Sequence, residues 1–198
     1  PRLVIFFIIA CYNSFNTMEI NINCDLGEKS KFHSTENDPH LLKIVNSANV
    51  ACGYHAGDEK TMHDTVKISK LNQVSIGAHP SFNDPENFGR KRINLNSYEI
   101  KKLIIEQYDI LQKVAENHNE NVTHIKPHGA LNNMACEDLE LANTIAETIK
   151  NINKDIIFLI PTGSKMEIAG KKLNMKMACE IFADRNYEDD GNLVSRSK

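Results

Sequence analysis

The sequence predicts an α/β protein in which βαβ units share a parallel sheet. Six short segments rich in β-branched and apolar residues (19–24, 47–52, 74–78, 122–126, 156–160 and 175–182) alternate with stretches of helical periodicity. That alternation is the mark of helical crossovers between parallel strands. The fifth segment, Ile156-Ile-Phe-Leu-Ile160, is apolar throughout, as suits a strand covered on both faces. Ionisable residues gather where the strands end, the face on which parallel α/β proteins build their sites.

The helices follow from their spacing. Residues 40–46 place Leu41, Leu42 and Val45 on one face, and 59–71 offer Met62, Val66 and Leu71 to a core. Asn96-Ser-Tyr-Glu99 forms a capping box, because Glu99 can reach back to the first backbone N–H. The helix it opens runs to about residue 118 and buries Leu103, Ile104, Leu111 and Val114. Residues 138–151 and 164–173 are the last two helices. Six units are fewer than the eight of a complete barrel, and the chain stops in a loop-like stretch, 194–198. A fold truncated at its C-terminus is therefore expected.

Residues 1–17 differ from the rest. Arg2 precedes nine apolar residues, Leu3 to Cys11, too few to span a bilayer as a helix. The segment reads either as upstream sequence ahead of a start at Met18 or as the end of a signal-like leader. The domain proper is expected at 18–198.

Composition excludes several classes. The 198 residues are 41% hydrophobic and 25% charged with net charge -3 and no Trp, so neither a basic nucleic-acid footprint nor an aromatic stacking platform is present. The five cysteines make no CxxC pair. Cys24, Cys52 and Cys179 fall within strands, where a free thiol behaves as a small hydrophobe. A reducing, cytoplasmic compartment and no membrane partner are expected.

The chemistry is read at the strand ends. Asp25 and Glu28 follow the first strand, His55 and Asp58 the second, and His79 the third. Lys126 and His128 follow the fourth, in a turn set by Pro127 and Gly129 that also carries Asn132, and Glu180, Asp184 and Arg185 lie at or after the sixth. Singly, each has a plainer reading: Asp58, for one, can cap the helix that starts at Glu59. Jointly they support two chemistries. Asp, His and a carboxylate can hold a divalent metal that activates water for amide or ester hydrolysis. Alternatively, His and Asp act as base and acid while Lys126 and Arg185 hold an anionic substrate. There is no H-E-x-x-H motif and no Walker loop.

Five stretches carry a resemblance. Asn23-Cys-Asp-Leu-Gly-Glu28, Ser47-Ala-Asn-Val-Ala-Cys-Gly-Tyr-His-Ala-Gly-Asp58, Gly77-Ala-His-Pro80, Lys126-Pro-His-Gly-Ala-Leu131 and Glu180-Ile-Phe-Ala-Asp-Arg185 occur in order. Together they resemble the LamB/YcsF family over about residues 18–198. The resemblance implies a distorted β/α barrel, a TIM-like barrel of the glycoside hydrolase and deacetylase type. It implies opening of the lactam of 5-oxoproline to L-glutamate, coupled to hydrolysis of ATP with Mg2+ and requiring partner subunits B and C. Carried over by position, the expected catalytic residues are Asp25, His55, His79 and His128. The expected substrate contacts are Glu28, Asp58, Lys126, Asn132, Glu180, Asp184 and Arg185. Asn132 stands where the family usually has Tyr. Whether the protein itself binds a metal is left open. Rival expectations are a stand-alone metal-dependent amidase or deacetylase, and a non-catalytic substrate-binding subunit.

Overall fold

A computed structural model describes residues 7–12, 18–183, 185–188 and 194. After β1 (Phe7–Tyr12), the chain runs through β2 (Met18–Leu26), the single-turn α1 (Asp38–Leu41), β3 (Ser47–Ala51), α2 (Glu59–Leu71) and β4 (Ser75–His79). A 3-10 turn (Pro85–Asn87) and the long α3 (Ser97–Asn117) lead to β5 (Val122–Ile125). Then come α4 (Gly129–Glu137), α5 (Leu139–Ile152), β6 (Ile157–Pro161), α6 (Lys165–Lys172) and β7 (Met177–Phe182).

Strands β2 to β7 pair in sequence order, every neighbouring pair parallel, so the six predicted units form the wall of a β/α barrel. Two edges would remain, β2 and β7. Residues 7–12, read from the sequence as lying ahead of the domain, run antiparallel to both edges as β1 and close the ring. The physical reason is the unpaired backbone N–H and C=O groups that a sheet edge presents to any extended segment.

Period two along the strands sorts the side chains. Cys24, Leu26, Ala48, Val50, Ile76, Ala78, Ile125, Phe158 and Ile160 face outward and pack against Ile100, Ile104, Leu111, Ile145, Ile149 and Met166 of the helices. The alternate positions turn into the barrel. There Asn23, Asn49, His124, Lys126 and Glu180 are buried and bonded to one another. The lumen is therefore a polar plug inside an apolar shell. One extra residue in β5 sets part of it: Ile76 pairs with Val122 but Gly77 with His124, a bulge at Thr123. His124 is thereby laid over Gly77, where a Cβ would stand 2.1 Å from its Nε2.

Local sequence explains the helix ends. Asn96 and Glu99 form the expected capping box of α3. Asp58 accepts from Thr61 N and Thr61 Oγ1, both at 2.7 Å, and caps α2. Two details differ from expectation. Leu71 is 74% exposed, because at 3.6 residues per turn it lies opposite Met62 and Val66. Helix α4 occupies residues expected to be loop; it buries Ala130, Leu131 and Ala135, a short apolar spacing that the glycine and proline before it obscure.

Two substitutions check this account by denaturant unfolding. Gly77→Ala is expected to cost roughly 1–3 kcal/mol, since His124 must move off its partner. Asp58→Ala is expected to cost about 1 kcal/mol through loss of the cap.

Candidate active site

The ends of β2 and β4 and the loops that leave β2, β3 and β5 bring Asp25, Glu28, His55, His79 and His128 together at the carboxyl end of the barrel. Asp25 is the last inward residue of β2, and its Oδ1 accepts from Lys126 Nζ at 3.1 Å and Asn49 Nδ2 at 2.9 Å. Its Oδ2 lies 3.4 Å from His79 Nε2. Lys126 Nζ also reaches Glu180 Oε2 at 3.2 Å and Asn23 Oδ1 at 3.4 Å. The ammonium is thus spent on three acceptors inside the barrel, where the side chain is 3% exposed.

The two central histidines are fixed by backbone carbonyls. His79 Nδ1 lies 2.7 Å from Lys126 O, and His128 Nε2 lies 3.0 Å from Phe88 O. A carbonyl only accepts, so both of these nitrogens carry protons. The other pair, His79 Nε2 and His128 Nδ1, face each other at 3.0 Å. Glu28 Oε1 is 3.6 Å from His128 Nδ1 and 3.1 Å from His55 Nε2. His55 stacks on His128 with ring centroids 3.8 Å apart, and its Nδ1 meets Ser81 Oγ at 2.9 Å. The Glu28 carboxylate, which only accepts, selects the Nε2–H tautomer of His55; Ser81 Oγ, which has one proton, lies 2.9 Å from both His55 Nδ1 and the acceptor Phe82 O.

Backbone conformation holds the carbonyl of Phe88 in place. Ala130 N donates to Gly89 O at 2.9 Å, and Gly129, at φ +56°, passes so close that a Cβ would stand 2.5 Å from that oxygen. The turn Pro127-His-Gly129 is therefore locked to the Phe88-Gly89 loop. His128, the N-cap residue of α4 at φ -102° and ψ 151°, has its ring inserted between them.

The electrostatics follow from this packing. Burial alone would raise the Asp25 carboxyl, but His79 and Lys126 hold it well below the usual carboxylate range. Burial opposes a proton on His79, yet the Asp25 carboxylate beside it wins and lifts His79 above the ordinary imidazole value. Burial keeps both His128 and His55 well below that value, and neighbouring histidines add to the effect. Glu180 is raised by burial despite Lys126, and its Oε1 has no partner among the described residues. Of the facing pair, His79 is thus the ring that the Asp25 carboxylate favours for a proton and His128 the one that burial disfavours.

Of the expected site residues, the structure gathers Asp25, Glu28, His55, His79 and His128, with Lys126 and Glu180 directly beneath them. Lys126 is not turned toward an external anion; it holds Asp25. Asp58 does not join, because its carboxylate caps α2. Arg185 donates to Val194 O at 2.5 Å and its backbone N–H to Phe182 O. Asn132 is buried in the first turn of α4, with Nδ2 on Asn133 Oδ1 at 3.2 Å and Oδ1 unpartnered among the described residues. Asp184 lies outside the described residues. Burial pushes the thiols of Cys52 and Cys136 up to about 12.

Sequence reasoning missed Asn23, Asn49 and His124 as members of the network. Asn21-Ile-Asn-Cys-Asp25 does carry the signal, since Asn23 and Asp25 share one face of a strand. The carbonyls of Phe88 and Lys126 left no sequence signal, because every residue has one.

The chain is similar to known proteins over most of its length. The model of the LamB/YcsF family matches residues 20–198. A protein of Rhodopseudomonas palustris, named as the A subunit of 5-oxoprolinase, is 47% identical over 182 residues, covering 91% of this chain and 72% of that protein. One of the same name from Natranaerobius thermophilus is 43% identical over 179 residues, covering 90% and 70%. The crystal structure of the lactam utilization protein from Thermus thermophilus superposes with a TM-score of 0.83 at 32% identity, covering 89% of this chain and 72% of that one. The chain belongs to the LamB/YcsF family.

Proposed function

We propose that this protein is the A component of a 5-oxoprolinase, opening the lactam of 5-oxoproline to L-glutamate. The observation that carries the reading is the cluster of four acceptors, Asp25, Glu28, His79 and His128, at the mouth of the barrel. The relatives named for 5-oxoprolinase and for lactam utilization support the substrate class. The chemistry is hydrolysis: water adds to the ring carbonyl carbon, the C–N bond breaks, and the ring nitrogen leaves as the amine after taking a proton. The cluster draws the proton from the attacking water. Asp25, kept ionised by Lys126 and His79, is its fixed negative charge. His55 positions the Glu28 carboxylate through Nε2–H.

Coupling to ATP with Mg2+ is part of the proposal, as are the partner subunits B and C. That the relatives are named as one lettered subunit of an enzyme supports an assembly. The sequence has no Walker loop, and the buried lysine of the site is already bound to Asp25, Glu180 and Asn23. We therefore assign nucleotide binding to the assembled complex and route no step through it. A cytoplasmic location belongs to the same reading. Among the described residues, no helix is long and apolar enough to cross a membrane.

The test is glutamate release from 5-oxoproline by the protein alone and with its B and C partners, each with and without Mg-ATP. Glutamate is expected only with partners and nucleotide; turnover by the protein alone without ATP would replace this reading with a self-sufficient amidase. In the active mixture, Asp25→Asn is expected to lower turnover at least about 100-fold while the fold is kept. Lys126→Met strands Glu180 and Asp25 without their cation. It is expected to cost about 3–5 kcal/mol of stability, read as a lower denaturation midpoint.

A further inference from the structure

The geometry points to a divalent transition-metal site formed by Asp25, Glu28, His79 and His128. The protons of the two imidazoles are already placed by the backbone. Lys126 O and Phe88 O take the protons of His79 Nδ1 and His128 Nε2. In neutral rings the two converging nitrogens, 3.0 Å apart, are then both lone pairs. The Asp25 and Glu28 oxygens that face them are 3.4 and 3.6 Å away. Four acceptors thus converge, all within 4.8 Å of one another. Such a set is short of a positive charge, which either a single proton or one cation can supply.

The dimensions suit a cation. Tetrahedral bonds of about 2.0–2.2 Å to nitrogen and oxygen place neighbouring donors roughly 3.3–3.6 Å apart; the facing pairs here stand at 3.0, 3.4 and 3.6 Å, and the wider pairs, within 4.8 Å, close onto the ion. Each donor is also steered from behind, as metal ligands are. The two histidines are held by carbonyls, Asp25 by Lys126 Nζ and Asn49 Nδ2, and Glu28 by His55. The imidazoles are 1% and 7% exposed, whereas the carboxylates are 22% and 14% exposed, so the open coordination position lies on the carboxylate side. Two imidazoles with two carboxylates favour zinc, manganese or iron over magnesium, which prefers oxygen alone. Such an ion polarises a carbonyl and lowers the pKa of water.

The site coincides with that of the proposed hydrolysis, but its test needs neither substrate, nucleotide nor partners, so either reading can fail without the other. The full chain, stripped with chelator and dialysed, is titrated with Zn2+ and separately with Mn2+ and Mg2+ by calorimetry, and thermal midpoints are recorded with and without ion. The expected result is one equivalent of Zn2+ per chain, a raised midpoint, and at least about 10-fold weaker binding in His128→Ala and Asp25→Asn. A second histidine pair, His63 and His118, meets at 3.0 Å between α2 and the end of α3. The His63→Ala/His118→Ala double variant is expected to bind as the unaltered protein does. Absence of stoichiometric Zn2+ on the unaltered chain would overturn the inference, a result that requires no variant to fold. So would an equivalent that persists in His128→Ala and disappears in the His63/His118 double variant.

Discussion

The structure depends on one buried cation. Lys126 stands at the end of β5 with its ammonium between Asp25 of β2 and Glu180 of β7, and so ties together strands from across the ring. Its backbone serves the same site: its N–H pairs with Ala78 O, and its carbonyl fixes the tautomer of His79. Proline follows and stops the strand, which delivers His128 at the next position. One residue thus sets the charge of Asp25, the orientation of His79 and the place where the chain turns. A buried charge with fewer partners would be costly; here two carboxylates and the Asn23 amide oxygen surround it.

The polar lumen is a consequence of how the barrel is covered. The helices pack only on the outer face, so the apolar alternate positions of β2 to β6 go there. Inward positions are free to carry hydrogen-bonding groups, provided each finds a partner. Asn23, Asn49 and His124 meet that condition by bonding to each other and to the charged residues. Burial pushes His124 down to about 3, so it remains neutral and serves as a spacer packed over Gly77. The network ends upward in Asp25, and the reactive groups stand on a base whose rotamers are already determined.

At the mouth, rigidity comes from main chain. The Phe88-Gly89 loop, the Pro127-His-Gly129 turn and the carbonyl of Lys126 hold the imidazoles from behind. Their inner nitrogens and two carboxylates are left facing one another. An arrangement of acceptors against acceptors is unfavourable unless something positive lies between them. That requirement connects the raised His79, the proposed hydrolysis of a lactam and the metal site into one physical description.

The alternation of strands and helices, the α3 capping box and the clustering of ionisable residues at strand ends were all legible in the amino-acid order, because they are local patterns of period 2 and 3.6. So was the ambiguity of Asp58, which the structure resolves as a cap. Asp25, Glu28, His55, His79 and His128 were legible as a set, since parallel topology sends strand ends to one face. What only the tertiary structure decided is which atoms meet. Lys126 points into the barrel, His55 backs Glu28, and two backbone carbonyls choose the tautomers of His79 and His128. Closure by residues 7–12 and the bulge that lays His124 over Gly77 likewise arise from strand pairing. These facts depend on contacts between residues as much as 175 positions apart, the separation of Phe7 and Phe182, and no local pattern encodes them.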